Sequence, residues 1–153
     1  MKQKIILLLL LLTSASLTLQ ADTTDSMWQT IAEHLSYLGY ECTKDGDKIT
    51  ARHHIKPGFD IHIHNNGILF RAWFQHRKSA EDDFANFVVL INHLNRFTTV
   101  LKYYCDSEKD LVLTAWYPLP YGKQSFSSFV SAWETDFVSS TAKNKERIAH
   151  FIQ

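Results

Sequence analysis

The sequence has no run of about 20 apolar residues, the length a membrane-spanning helix requires. Nor does it carry a basic surplus, since 16 Lys and Arg stand against 16 Asp and Glu. Nucleic-acid-binding domains usually display such a surplus on one face, so the charge balance argues against that class. Cysteine is scarce: Cys42 and Cys105 are the only two, and neither lies near the N-terminus. A lipid-modified cysteine at that end is therefore excluded. Catalytic signatures are missing as well. There is no Gly-x-Ser-x-Gly, no His-Glu-x-x-His, no Gly-rich phosphate loop and no Cys-x-x-Cys. These absences imply a protein that is not an enzyme and needs no cofactor. Internal repeats, low-complexity tracts and long linkers are absent too, which leaves one domain.

What is present begins at the N-terminus. Lys2 and Lys4 precede the apolar run Ile5–Leu12, and Thr13-Ser14-Ala15-Ser16 follow. A basic start, a short apolar middle and small residues after it describe a signal peptide. It occupies residues 1–21, with cleavage near 16 or 21. If the apolar segment extends to Leu19, an uncleaved anchor is the alternative. The expected product is exported, periplasmic or secreted, and residues 22–153 form a single domain of roughly 130 residues, enough for a real core. Without Lys2 and Lys4 it has 14 basic against 16 acidic residues, a formal charge of −2. In an oxidising compartment Cys42 and Cys105 are a candidate disulfide worth roughly 4 kcal/mol by the chain-entropy estimate. The alternative is two buried thiols.

After a polar tether over Thr18–Asp25, a helix is expected with Ser26 as its cap and Gln29 at capping-box spacing. Trp28, Ile31, Leu35 and Leu38 make its apolar stripe, and Gly39 ends it. His34 falls off the stripe and reads as solvated. From Tyr40 to His76 the period changes to two. Turns at Asp45-Gly46-Asp47, Lys56-Pro57-Gly58 and Asn66-Gly67 divide this region into an antiparallel meander. Ser79 starts a second helix whose stripe is Phe84, Phe87, Val88, Ile91 and Leu94. The strands Thr98–Cys105 and Leu111–Tyr117 follow. A last helix from about Ser125 carries Phe126, Phe129, Val130, Trp133 and Phe137, and Lys143–Gln153 extends it or frays. Trp116 and Tyr117 are expected at an exposed edge. The order helix, meander, helix, hairpin, helix is α+β, with an antiparallel sheet and helices packed on it.

This order carries Asn92-His93-Leu94-Asn95 at the end of the middle helix, then Lys102-Tyr103-Tyr104-Cys105-Asp106 and Leu111-Val112-Leu113. With Leu119-Pro120 and the Phe/Trp-striped last helix, it resembles the YbjN family over about Met27 to Phe137. Members are bacterial proteins labelled sensory transduction regulators, and their fold is similar to that of type III secretion chaperones. The resemblance implies a small non-catalytic binding or regulatory domain that engages a protein partner. It supplies no catalytic residues. An export signal is a departure from relatives that work in the cytosol.

The residues offer two sites on the meander. His62 and His64 lie two apart on one strand and so face one side, a geometry that metal sites use. With a turn at Ile55–Phe59, Thr50, Arg52 and His54 line up with them, and Arg71 and Trp73 follow on the next strand. Two arginines repel a cation, and no acidic group is evident beside the histidines. A metal site built on His62 and His64 is therefore the alternative. The preferred reading of Arg52, His54, His62, His64, Arg71 and Trp73 is a face for an anionic ligand or acidic segment, its charge rising as imidazoles protonate below about pH 6.5. A homodimer, built on a fraction of the last helix's aromatic stripe, is the other partner considered. Asn92 and Asn95 are expected to cap the helix or hold the following strand.

Export makes one prediction testable on its own. The intact mass of the exported protein should correspond to a chain beginning near residue 17 or residue 22. A mass that retains the first residues would identify an anchor instead.

Overall fold

A computed structural model describes residues 26–153, so the expected signal peptide and tether lie outside the described residues. The first helix, α1, occupies residues 26–37. Ser26 is already helical, so it is not the cap that was expected. Trp28, Ile31 and Leu35 are buried, and Gly39 ends the helix at φ +93°. The Gly39 N–H donates to the Ser36 carbonyl and the Tyr40 N–H to the Leu35 carbonyl, both at 3.0 Å. This is a Schellman closure, with the buried pair Leu35 and Tyr40 at the positions whose contact accompanies it.

Four strands follow: β1 (Glu41–Asp45), β2 (Lys48–Arg52), β3 (Phe59–His64) and β4 (Gly67–Phe74). A 3-10 turn, Lys78–Asp83, leads into α2 (Phe84–Leu94), and another, Asn95–Phe97, leads out of it. β5 (Lys102–Cys105) and β6 (Leu111–Pro118) form a hairpin, and α3 (Lys123–Thr141) and α4 (Lys145–Phe151) complete the chain. The six strands make one sheet in the order β1-β2-β3-β4-β6-β5, antiparallel throughout. The α+β arrangement read from the sequence is therefore present. Among the described residues no helix is long and apolar enough to cross a membrane.

Alternation explains why one face became the core. Ile49 lies opposite Ile61, Ile61 opposite Phe70, and Phe70 opposite Ala115, an apolar row across four strands. The helices cover this face alone. Trp133 of α3 meets Phe59 and Phe70 with ring centroids 5.7 and 5.9 Å apart, and Phe126 meets Phe70 at 5.8 Å. Each large side chain buried here contributes about 1.5–3 kcal/mol. The buried face of α2 is Phe87, Leu90, Ile91 and Leu94, so Leu90 takes the place expected for Val88, which is exposed. That set fits the i, i+3, i+4, i+7 spacing of a stripe without interruption.

Three local expectations are corrected. The β3–β4 turn is Asn65-Asn66, at φ 47° and 56°, and Gly67 is the first residue of β4. The last residues neither extend the helix nor fray. Ile152 pairs with His76, the Gln153 N–H donates to the Gln75 carbonyl at 3.0 Å, and the Arg77 N–H donates to the Phe151 carbonyl at 2.7 Å. Finally, β6 lies inside the sheet, which puts Tyr117 in the core and leaves Trp116 outside. The Trp116 indole N–H donates to the His64 carbonyl at 2.9 Å, and a Cβ on Gly67 would clash with that ring.

The crossing from α2 to β5 is held by side chains. Asn95 accepts from the Tyr103 N–H and donates to the Tyr103 carbonyl, both at 2.9 Å, so it does hold the following strand. Asp136, buried on α3, accepts the N–H groups of Thr99, Val100 and Leu101 on one carboxylate oxygen at 2.7, 2.7 and 2.9 Å. The Ser140 hydroxyl donates to the Asp136 carbonyl at 2.6 Å, so the Tyr103 hydroxyl, 2.7 Å away, is the donor to Ser140. Burial pushes the Tyr103 phenol up to about 12. Removing a buried acceptor strands its donors. Asp136→Ala should therefore lower stability by about 3 kcal/mol, with Asp136→Asn losing less because an acceptor remains. Urea unfolding measures both, and a loss below about 1 kcal/mol for the alanine variant would mean that water replaces the carboxylate.

Candidate functional site

The face that the helices leave uncovered is polar by the same alternation that makes the other face apolar. Thr50, Asp60, Arg71, Thr114 and Lys102 lie opposite one another in turn from β2 to β5. Lys48, His62, Leu69 and Trp116 form the next row, and Trp73, Val112 and Tyr104 another. A cleft of about 570 Å³ opens between these rows, lined by Arg52, Gly58, Asp60, Arg71, Ala72, Trp73 and Phe74. Three of the six residues singled out in the sequence, Arg52, Arg71 and Trp73, line it together.

Its electrostatics turn on Asp60, which sequence reasoning missed. Asp60 lies 3.7 Å from Arg52 and 3.8 Å from Lys48. Arg71 is directly opposite Asp60 in register, yet its guanidinium makes no ion pair or hydrogen bond among the described residues. Two cations therefore share one carboxylate, and a third remains unpaired beside an indole that is 53% exposed. The signal for Asp60 was available, because Phe59-Asp60-Ile61-His62 alternates and puts Asp60 on the polar side.

The histidines are less concentrated than the sequence suggested. His62 and His64 do share the open face, with ring centroids 6.4 Å apart. His54 does not join them. His53 Nδ1 accepts the N–H groups of Ile55 and Lys56 at 3.0 and 3.1 Å, which ends β2 at Arg52 and starts a loop. His54 sits on that loop, stacked on His53 at 4.6 Å. The expected turn, Ile55–Phe59, is accordingly replaced by a loop over residues 53–58; the facing of the strands is as expected and the pairing slides by two residues on each. Among the described residues no three His, Cys, Asp or Glu side chains are grouped to hold a metal ion.

The candidate disulfide is not formed. Cys42 is on β1 and Cys105 on β5, the two opposite edges of the sheet, and both are free. Five strand spacings of about 4.8 Å separate them by about 24 Å, against a Cα limit of about 7 Å for a bridge. Burial pushes the Cys42 thiol pKa up.

His34 is a further correction. It is buried rather than solvated, because α3 lies alongside α1 there. Its Nδ1 shares a 2.5 Å hydrogen bond with the Tyr121 hydroxyl, and its Nε2 a 2.8 Å bond with the Ser127 hydroxyl. A neutral imidazole donates at one nitrogen and accepts at the other, and hydroxyls can answer both. Burial, and secondarily the charge of Lys123, lower its pKa.

Against known proteins, no family model and no curated sequence matches the chain. Among solved structures it is similar to the crystal structure of YbjN from E. coli, described as a proposed transcription regulator. The two share 16% identity at a TM-score of 0.66, over 82% of this chain and 95% of that one. The fold is thus YbjN-like.

The depressed His34 pKa makes a pH prediction. Below the ordinary imidazole value of 6.5 the unfolded chain takes up a proton that folded His34 resists. Stability is therefore lost as pH falls from 6.5 toward the folded pKa. His34→Gln should remove that component from the urea midpoint measured between pH 8 and 5. Parallel curves for the two proteins would show that His34 does not carry it.

Proposed function

We propose that the chain is an exported, non-catalytic binding domain whose open sheet face holds an acidic protein segment. The observation that carries this reading is the unpaired Arg71 beside the exposed Trp73, in a cleft that also contains Arg52. Arginine offers a carboxylate two parallel donors, and an indole adds area that tolerates a range of side chains. Trp116 and Tyr104, exposed on the same face, extend the apolar contact beyond what a small free anion would use. Asp60 holds Arg52 in place and sets a limit, because it repels a carboxylate set too close to β3. Export rests on Lys2, Lys4 and the apolar run behind them. The YbjN-like fold, seen in a protein described as a regulator, supports a role without catalysis.

A fluorescein-labelled peptide alternating glutamate and valine is a suitable probe. Its anisotropy should report binding that weakens with salt. Arg52→Gln, Arg71→Gln and Trp73→Ala combined should weaken it by about tenfold or more, with the thermal transition preserved because these side chains lie outside the core. Equal affinity in the triple variant would rule out this face.

A further inference from the structure

A second cavity lies on the other side of the sheet. The C-terminal turn of α3, the 3-10 turn Ala142–Asn144 and α4 arch over the β5–β6 hairpin and the end of β4, leaving a gap of about 420 Å³. Its walls are almost wholly apolar: Phe74, Leu111, Leu113, Phe137, Ile148 and Ile152. Four of these, Phe74, Phe137, Ile148 and Ile152, remain only half-buried. The gap opens to solvent, so these apolar side chains face water, which favours an apolar occupant. The volume falls within the range of small-ligand pockets.

Two cations stand at its edge. The Arg77 Nε–H donates to the Ile152 carbonyl at 2.7 Å, which fixes the side chain and leaves its terminal nitrogens without a partner. Lys145 lines the same gap and makes no ion pair or hydrogen bond among the described residues. A peptide segment would bring an N–H and a C=O per residue into walls whose polar side chains are few, Tyr103 and Thr141 being already hydrogen-bonded within the chain and Gln153 exposed. An alkyl chain carries no such groups. A head group of negative charge would meet Arg77 and Lys145. We infer that this gap binds a single-chain anionic amphiphile, an alkyl carboxylate, with its tail between β6 and α4 and its head between the two cations.

The test uses the whole chain and sodium dodecanoate, below its micelle concentration, in titration calorimetry. One equivalent should bind, with a negative heat-capacity change from apolar burial. Ala149 lines the gap on the same stripe of α4 as Ile148 and Ile152, so Ala149→Phe should fill it and weaken dodecanoate binding at least about tenfold. Arg77→Gln with Lys145→Gln should weaken dodecanoate by about tenfold while leaving dodecanol unchanged. Absence of binding, or affinity indifferent to Ala149→Phe, would overturn the site. Dodecanol binding as tightly as dodecanoate, or dodecanoate binding unaffected by the double glutamine variant, would overturn the anionic class. Circular dichroism keeps loss of fold apart from loss of binding, and the glutamine variant alters only exposed side chains.

Discussion

The arrangement depends first on a buried carboxylate that has somewhere to put its charge. An ionised group out of water is costly unless donors surround it. Asp136 meets three successive backbone N–H groups from residues 99–101. Those amides have no strand partner, since β5 begins only at Lys102. Each side resolves the other's deficit. The bonds from Asn95 to Tyr103, and from Tyr103 through Ser140 back to Asp136, join α2, β5 and α3 into one closed set. β5 pairs with β6 alone, so this set is what fixes the sheet's outer edge beneath the helices.

A sheet covered on one face divides its residues by parity. Even-numbered positions of β2 and β3 carry Lys48, Thr50, Arg52, Asp60, His62 and His64, and the odd ones Ile49, Ala51, Phe59 and Ile61 belong to the core. A polar face of this kind contributes little to the hydrophobic free energy. Its side chains are therefore free to be chosen for recognition without disturbing the fold. Val112 is the exception, buried on the open side where it lies between Trp73 and Tyr104 in register.

Much of this was legible in the sequence because it depends on periodicity. The period of two placed Arg52, His62, His64, Arg71 and Trp73 on one side, and helical spacing found Trp28, Ile31, Leu35, Phe126, Val130 and Trp133. Gly39 announced its own left-handed turn. What escaped depends on contacts distant in sequence. His34 reads as solvated until α3 is laid against it, and Asp136 reads as a surface acid until residues 99–101 arrive beneath it. His54 was misplaced because His53 bonds its own neighbours' amides, a local competition that alternation does not register. The cysteines mislead for a different reason: a count of two cannot say which strands form the edges.

The contact between Gly67 and Trp116 also bears on how such a sheet can change over generations. The indole occupies the volume that any side chain at position 67 would need, and its nitrogen closes onto the carbonyl of His64. The two positions are 49 residues apart in the chain, yet they occupy one site. A larger residue at 67 displaces the indole and costs its bond to His64 unless 116 has already become smaller, and a smaller residue at 116 leaves a bare glycine with no reason to persist. The pair has a favoured order of inheritance, in which the tryptophan yields first.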